Sequence, residues 1–292
     1  MDGGSLSVDI DLYHTLESGQ TYLWNRSDGL MYQSVEPTAD TWYETIANGV
    51  YIGVRREGAL LQWRSTDGEQ AAQLLQNLLR LGDDLERLYQ TFPDEPVVST
   101  ALNRFQGMRL VNDPSFPCLI SFICSAQMRV PRIFAMQQAL TQAYGNEYLI
   151  DDRTLWSYPT PEQLASATEE ELRSLGVGYR APYIRDTAQM VVDGIDPAVA
   201  EALPYEEGRS YLTQFPGVGE KVADCVLLFS LDTLEAVPLD TWIQQAISEY
   251  FPDCDRGSYA ATSQALRNRF GQTYAGYVQT YVFHHLRTNP ER

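Results

Sequence analysis

The chain has 292 residues, 44% of them hydrophobic and 21% charged. That is enough for one large or two ordinary domains of about 150 residues, and no apolar run reaches the roughly 18 residues of a membrane span. Disordered, collagen-like and transmembrane readings are excluded, while a formal net charge of −18 argues on its face against a polyanionic partner.

From Leu6 to Arg64 the pattern is strand-like. Tyr22-Leu23-Trp24, Leu30-Met31-Tyr32, Val50 to Val54 and Leu60 to Trp63 are separated by turn residues, and Asn48-Gly49 signals a tight hairpin. After Asp67-Gly68 the period changes: Ala71, Leu74, Leu75, Leu78 and Leu79 take helical spacing. Thr160-Pro161-Glu162-Gln163 and Thr168-Glu169-Glu170-Glu171 read as capping boxes that open two short helices. Further helices are predicted over Phe116 to Tyr144, Pro182 to Asp193, Tyr211 to Phe215, Glu220 to Leu231 and Thr241 to Phe251. A last one, in two pieces, covers Tyr259 to Arg287. Strands first and helices after define an α+β chain, divided into residues 1–112, a sheet with following helices, and 113–292, helical. No internal repeat or long linker interrupts it.

Met1-Asp2-Gly3-Gly4 is not a basic segment followed by an apolar one, so no secretory signal is expected. Cys118, Cys124, Cys225 and Cys254 are spaced irregularly and suggest neither a disulfide framework nor a metal site. A reducing cytoplasm is the expected compartment. The 21 basic residues are 20 arginines and one lysine, Lys221. Few lysines on an acidic chain resemble the proteome of a salt-in halophile, where molar salt shortens the Debye length to about 3 Å and mutes surface repulsion. Arginine-biased codon usage explains the missing lysines equally well but not the excess acid.

Chemistry concentrates in Leu212 to Cys225. Pro216-Gly217-Val218-Gly219 joins two predicted helices, and its glycines permit backbone conformations that turn amide N–H groups outward at a helix N-terminus, where a phosphate can sit. A tight interhelical turn is the plain alternative. Lys221 lies in the first turn of the following helix, where the dipole and desolvation favour a neutral, nucleophilic amine. Asp240, in Val237-Pro238-Leu239-Asp240-Thr241-Trp242, opens another helix, either as an ordinary N-cap or as a carboxylate that stabilises positive charge. A lysine able to form a Schiff base, a carboxylate and a phosphate-holding hairpin make a more specific set than any one of them.

With these motifs the sequence resembles the helix-hairpin-helix base-excision DNA glycosylases, and within them the 8-oxoguanine glycosylase/lyase branch. The likeness runs in order through Ser18-Gly19-Gln20-Thr21-Tyr22-Leu23-Trp24, Asp113-Pro114, Ser121-Phe122-Ile123-Cys124-Ser125, Leu175 to Ala181, Pro216 to Cys225, Tyr274 to Gln279, and Phe283. It implies an N-terminal antiparallel sheet domain on two helical subdomains, with the active site in the cleft between them. It also implies Lys221 as the nucleophile at the sugar C1′ and Asp240 as the carboxylate facing the oxocarbenium-like transition state. The flipped base would lie between Cys225 and Phe283, with Gln279 reading its Watson-Crick edge. Helical spacing puts Cys225 one turn from Lys221 and Gln279 one turn from Phe283; core packing is the alternative for Cys225 and Phe283.

Gly19 resembles the glycine whose carbonyl selects the lesion: guanine N7 only accepts, whereas 8-oxoguanine carries a hydrogen there. A turn glycine is its alternative. Gln127 and Tyr179 would fill the hole left by the flipped base, with Arg132 and Arg180 on the widowed cytosine and the backbone of Gly217, Val218 and Gly219 on a phosphate. For the two arginines, surface solubility is the alternative. Gln127-Met128-Arg129 stands where the eukaryotic enzymes have asparagines, and Ser125-Ala126-Gln127 is similar to endonuclease III. Trp242 replaces the family's histidine two places after the aspartate.

His14 is isolated in sequence and His284-His285 diverge on a helix, so no metal site is expected; the four-cysteine iron-sulfur signature is absent and no cofactor is implied. The expectation is a monomeric, cytoplasmic, nucleoid-associated enzyme that removes oxidised guanine from double-stranded DNA through Lys221 and nicks the strand by β-elimination. A related glycosylase for another lesion and a noncatalytic damage-binding protein remain alternatives; Lys221 speaks against the latter.

Overall fold

The computed structural model describes residues 1–289. Its first layer is a five-stranded antiparallel sheet of β1 (Asp2–Ser7), β2 (Asn25–Arg26), β3 (Tyr43–Ala47), β4 (Val50–Glu57) and β5 (Leu60–Ser65), in spatial order β1-β5-β4-β3-β2. Ala47 pairs with Val50 across Asn48-Gly49, whose φ values of 50° and 80° are both left-handed. That is the hairpin geometry Asn-Gly adopts at least cost.

The strand-like reading of Leu6 to Arg64 is only half right. Helix α1 (Leu12–Glu17) interrupts it, capped by Asp11 on the His14 amide at 2.9 Å. Tyr22–Trp24 and Leu30–Tyr32 are coil and turn rather than strand. Their aromatic residues are buried in the core, and core burial can mark coil as well as strand. Conversely, β3 is buried at every residue, so it offers no alternation for a period of two to detect.

Helices α2 (Gly68–Leu78), α3 (Leu85–Tyr89) and α4 (Pro96–Arg104) follow the sheet. After them come α5 (Ser115–Ile123), α6 (Val130–Tyr144), the hairpin β6 (Glu147–Ile150) and β7 (Arg153–Trp156), α7 (Pro161–Ala165) and α8 (Glu169–Leu172). The last part holds α9 (Ala181–Val192), α10 (Tyr205–Leu212), α11 (Glu220–Ser230), α12 (Thr241–Tyr250), α13 (Tyr259–Arg269) and α14 (Ala275–Arg287). Both capping boxes form as expected, at α7 and α8. The helix expected over Phe116 to Tyr144 breaks into α5 and α6: Gln127 takes φ 55°, Arg129 is extended, and Pro131 opens α6, as a residue upstream of proline disfavours helix. The segment Tyr211 to Phe215 is the tail of α10, which starts at Tyr205.

Two large hydrophobic cores result, besides a small cluster of Ile46, Tyr51 and Ile150. One runs from beneath the sheet through α5 to α11 and includes Trp24, Phe122, Val222 and Cys225. The other lies under α12, α13 and α14 and includes Val237, Leu239, Ile243 and Val278. Lys221 starts the helix of the first core and Asp240 ends the segment that enters the second, so the pair stands at the seam between them.

Candidate active site

The turn between α10 and α11 is closed by its own backbone: the Phe215 amide donates to the Leu212 carbonyl at 3.2 Å and the Val218 amide to the Phe215 carbonyl at 3.1 Å. Gly217 has φ +80°, and a Cβ there would lie 2.6 Å from the Tyr183 ring, so no larger residue fits without displacing it. Gly219 is the N-cap of α11 and supplies no side-chain cap, leaving first-turn amides uncapped at an exposed edge. Uncapped amides at such an edge can accept an anion. The amide of Val218 is committed to closing the turn, and its side chain is buried.

Lys221 points from that first turn to Ser125, donating from Nζ to Oγ at 3.0 Å, with the Phe122 ring centroid 5.4 Å away. Ser125 donates its own hydrogen to the Phe122 carbonyl at 2.7 Å, so toward Lys221 it can only accept. One N–H of the amine is thereby fixed. Cys225 is buried one turn further on; burial pushes its thiol up to about 11, which keeps it protonated. Asp240 caps α12 by accepting the Ile243 amide at 2.9 Å. Burial pushes its carboxyl above the usual range, while the Ile243 amide and the Lys221 charge draw it back. The N-cap forms as expected, with the second oxygen not used by the Ile243 bond.

Gly19 is buried with φ +96°, and a Cβ would meet Val130 at 2.8 Å. Its neighbours fix the loop. Gln20 donates to the Thr15 and Arg109 carbonyls, both at 2.8 Å, and accepts the Val111 amide at 3.0 Å. Glu17 accepts from the Tyr32 amide, Tyr43 and Arg26. At about 1 kcal/mol per net bond, this is a firmly held backbone. The buried Tyr22 ring packs edge-on against Phe122 with centroids 6.3 Å apart, and the same Phe122 ring lies 5.4 Å from Lys221 Nζ, so the Gly19 loop and the lysine share a neighbour. On α14, Gln279 is buried and donates to the Pro238 carbonyl at 3.5 Å, and Phe283 is half-buried under Arg287, 5.9 Å from its ring centroid. Arg287 is itself tied to the Glu17 carbonyl at 2.8 Å.

At the rim, Gln127 is exposed in its left-handed turn and Tyr179 is 51% exposed. Arg180 departs from expectation. It is 2% exposed, stacks on Tyr179 with 4.4 Å to the ring centroid, and donates to the Ala126 carbonyl. A guanidinium so placed clips the Gln127 turn from behind rather than facing a base. Arg132 is exposed and reaches back to the Gly176 carbonyl at 3.4 Å. His14 is not isolated either: its Nδ1 lies 2.9 Å from Nε2 of His284, joining α1 to α14. Ser125 and Arg287 were missed as site residues. The motif Ser121 to Ser125 contained the first, but no spacing rule brings residue 125 to residue 221.

A two-helix turn with an uncapped, glycine-rich entry, one lysine and one aspartate beneath it defines a helix-hairpin-helix base-excision protein. Residues 120–272 match the HhH-GPD superfamily base excision DNA repair protein model, and residues 6–119 match the 8-oxoguanine DNA glycosylase N-terminal domain; the chain belongs to the HhH-GPD superfamily. It is 30% identical to a probable N-glycosylase/DNA lyase of Methanothermobacter thermautotrophicus, over 96% of this chain and 94% of that protein. It is 27% identical to the N-glycosylase/DNA lyase OGG1 of Arabidopsis thaliana, over 94% and 77%. The fold superposes on MBOgg1 in complex with a low-affinity DNA ligand with a TM-score of 0.86 and 27% identity, covering 98% of this chain and 99% of that one. The apo 8-oxoguanine glycosylase/lyase of Clostridium acetobutylicum shares the fold with a TM-score of 0.85 at 24% identity, over 97% and 96%.

Proposed function

We propose that this chain is a bifunctional DNA glycosylase and AP lyase that excises 8-oxoguanine from double-stranded DNA. The observation that carries the reading is Lys221 Nζ held by an acceptor-only Ser125 at 3.0 Å, beside Asp240 and an uncapped helix entry. The hairpin amides take a phosphate and the lesion flips out of the stack. The amine lone pair forms the bond to C1′ as the glycosidic pair leaves with the base, and Asp240 stabilises the positive charge developing on the sugar. The amine gives one proton to the departing base and one to O4′ as the C1′–O4′ bond breaks and the sugar ring opens to the imine; removal of a C2′ proton then expels the 3′-phosphate by β-elimination, and water hydrolyses the imine to free the lysine.

Gly19 supplies the lesion test through its carbonyl, Gln279 faces the base edge, and Phe283 with the neutral Cys225 encloses the ring. Gln127 and Tyr179 fill the vacated stack and Arg132 stands at the rim. Arg180 acts behind them, through Ala126. The enzyme works as a monomer in a salt-rich cytoplasm, at the nucleoid; sedimentation at molar potassium chloride is expected to show one protein per lesion duplex, and a dimer would contradict this.

A panel of duplexes with 8-oxoguanine opposite cytosine or adenine, thymine glycol and 3-methyladenine tests the substrate. Excision and strand nicking are expected at 8-oxoguanine, faster than at the other lesions. Release of another base with 8-oxoguanine untouched would overturn the assignment.

A further inference from the structure

Asp224 follows Lys221 by three residues on α11 and is fully buried. Its two oxygens accept from two phenols, Tyr205 at 2.8 Å and Tyr259 at 2.7 Å. A buried carboxylate is costly unless so satisfied. The guanidinium of Arg209 stands over both rings, 5.3 and 5.8 Å from their centroids, and that of Arg267 lies 3.9 Å from the Tyr205 centroid.

The two phenols are not equivalent. Tyr259, after donating to Asp224, accepts the backbone amide of Leu239 at 3.2 Å, and Leu239 is the residue before Asp240. Tyr205 makes no bond to that segment: its other neighbours are Ser263 at 3.4 Å and Arg209 at 3.3 Å. The path Asp224, Tyr259, Leu239 thus joins the helix that carries the amine to the strand of backbone that carries the carboxylate. It crosses the seam between the two cores, where no continuous secondary structure fixes the spacing. From the other side, Gln279 holds the Pro238 carbonyl.

We propose that Asp224 and Tyr259 are positioning residues that set the separation of Lys221 and Asp240. Charge stabilisation by a preorganised carboxylate depends on its placement at the reacting centre, and a misplacement of about 1 Å costs on the order of 100-fold in rate. The proposal rests on the glycosylase reading above.

Tyr259→Phe and Tyr205→Phe each remove one oxygen and one bond to Asp224, but only the first cuts the link to Leu239. Single-turnover excision from an 8-oxoguanine duplex, the dissociation constant for that duplex and the melting temperature are measured for both. Tyr259→Phe is expected to slow excision about 30-fold with the dissociation constant within about threefold of wild type. Tyr205→Phe is expected to excise within about threefold of wild type at a similar melting temperature. In a cycle with Asp224→Asn, the double variant Asp224→Asn/Tyr259→Phe is expected to lose no more than the slower single one, as members of one path are not additive. Wild-type excision rates in Tyr259→Phe, equal losses in the two phenylalanine variants, or additive losses in the cycle would overturn the brace. A wild-type enzyme that does not release 8-oxoguanine would instead defeat the glycosylase reading, and the brace with it.

Discussion

Lys221, Cys225 and Gln279 stand on α11 and α14, and Asp240 caps α12, each packed against a core; Gln127 stands on a turn and Tyr179 on the short 3-10 helix Gly178–Arg180, both at the surface. On the floor of the site each of these polar side chains has a partner: Ser125 and Pro238, from other segments, for Lys221 and Gln279, and the first turn of its own helix, at Ile243, for Asp240. At the rim the side chains are exposed, Tyr179 rests on Arg180, and the backbone behind them is clipped by Arg180 at Ala126 and Arg132 at Gly176. Under the proposed function the contrast follows the work each part would do. Bond cleavage needs groups fixed to fractions of an ångström before the substrate arrives, whereas a wedge must slide into a stack that it also opens.

Substitutions on the floor should therefore change rates, and those on the rim affinities. The largest effect is expected from Asp240→Asn. Asparagine keeps the N-cap to Ile243 but removes the charge, so single-turnover excision should fall on the order of 100- to 1,000-fold with lesion binding within about threefold. An equal loss in affinity would reduce Asp240 to a cap. Next comes Tyr179→Ala, expected to weaken lesion-duplex binding about tenfold, the range for losing one stacked aromatic, while the rate at saturating enzyme changes little; fluorescence anisotropy and single-turnover kinetics separate the two. A rate loss without an affinity loss would move Tyr179 to the floor.

A smaller effect sharpens the comparison from outside the site. Asp113 is buried in front of α5, and burial pushes its carboxyl up to about 7, against about 3.9 in an unfolded chain. The native state then holds the proton more tightly, so this group favours the fold at low pH and loses that contribution as pH rises from about 4 to about 7. Asp113→Asn should raise the melting temperature by several degrees at pH 8, with the gain shrinking toward pH 4. No gain at pH 8 would contradict the assignment. Excision should stay within about twofold, since Asp113 is outside the set proposed to act on the sugar and the base.

What could be read along the chain was local. The Asn48-Gly49 hairpin, both capping boxes, the split before α14 and the turn at Gly217 each depend on a few adjacent residues whose backbone preferences agree. Lys221 and Asp240 could be singled out as candidates because a family motif surrounds each. The pairing of β1 with β5, the contact of His14 with His284 across the whole chain, and the burial of Arg180 depend on partners far away in sequence. Nothing in Leu175 to Ala181 says that an arginine beside an exposed tyrosine turns inward. For Asp224, the motif around Lys221 drew attention to Cys225, and the two tyrosines that explain the aspartate lie on α10 and α13.

The central claim is that the amine of Lys221 bonds to the sugar. Because Lys221 is the chain's one lysine, borohydride reduction during turnover of an 8-oxoguanine duplex, followed by proteolysis and mass spectrometry, reads the site of the adduct without ambiguity between side-chain amines. The account predicts a reduced deoxyribose remnant on the peptide containing Lys221, and no trapped complex with Lys221→Gln even though that variant still binds the lesion duplex. An adduct on the amino group of Met1, or trapping that persists in Lys221→Gln, would contradict it.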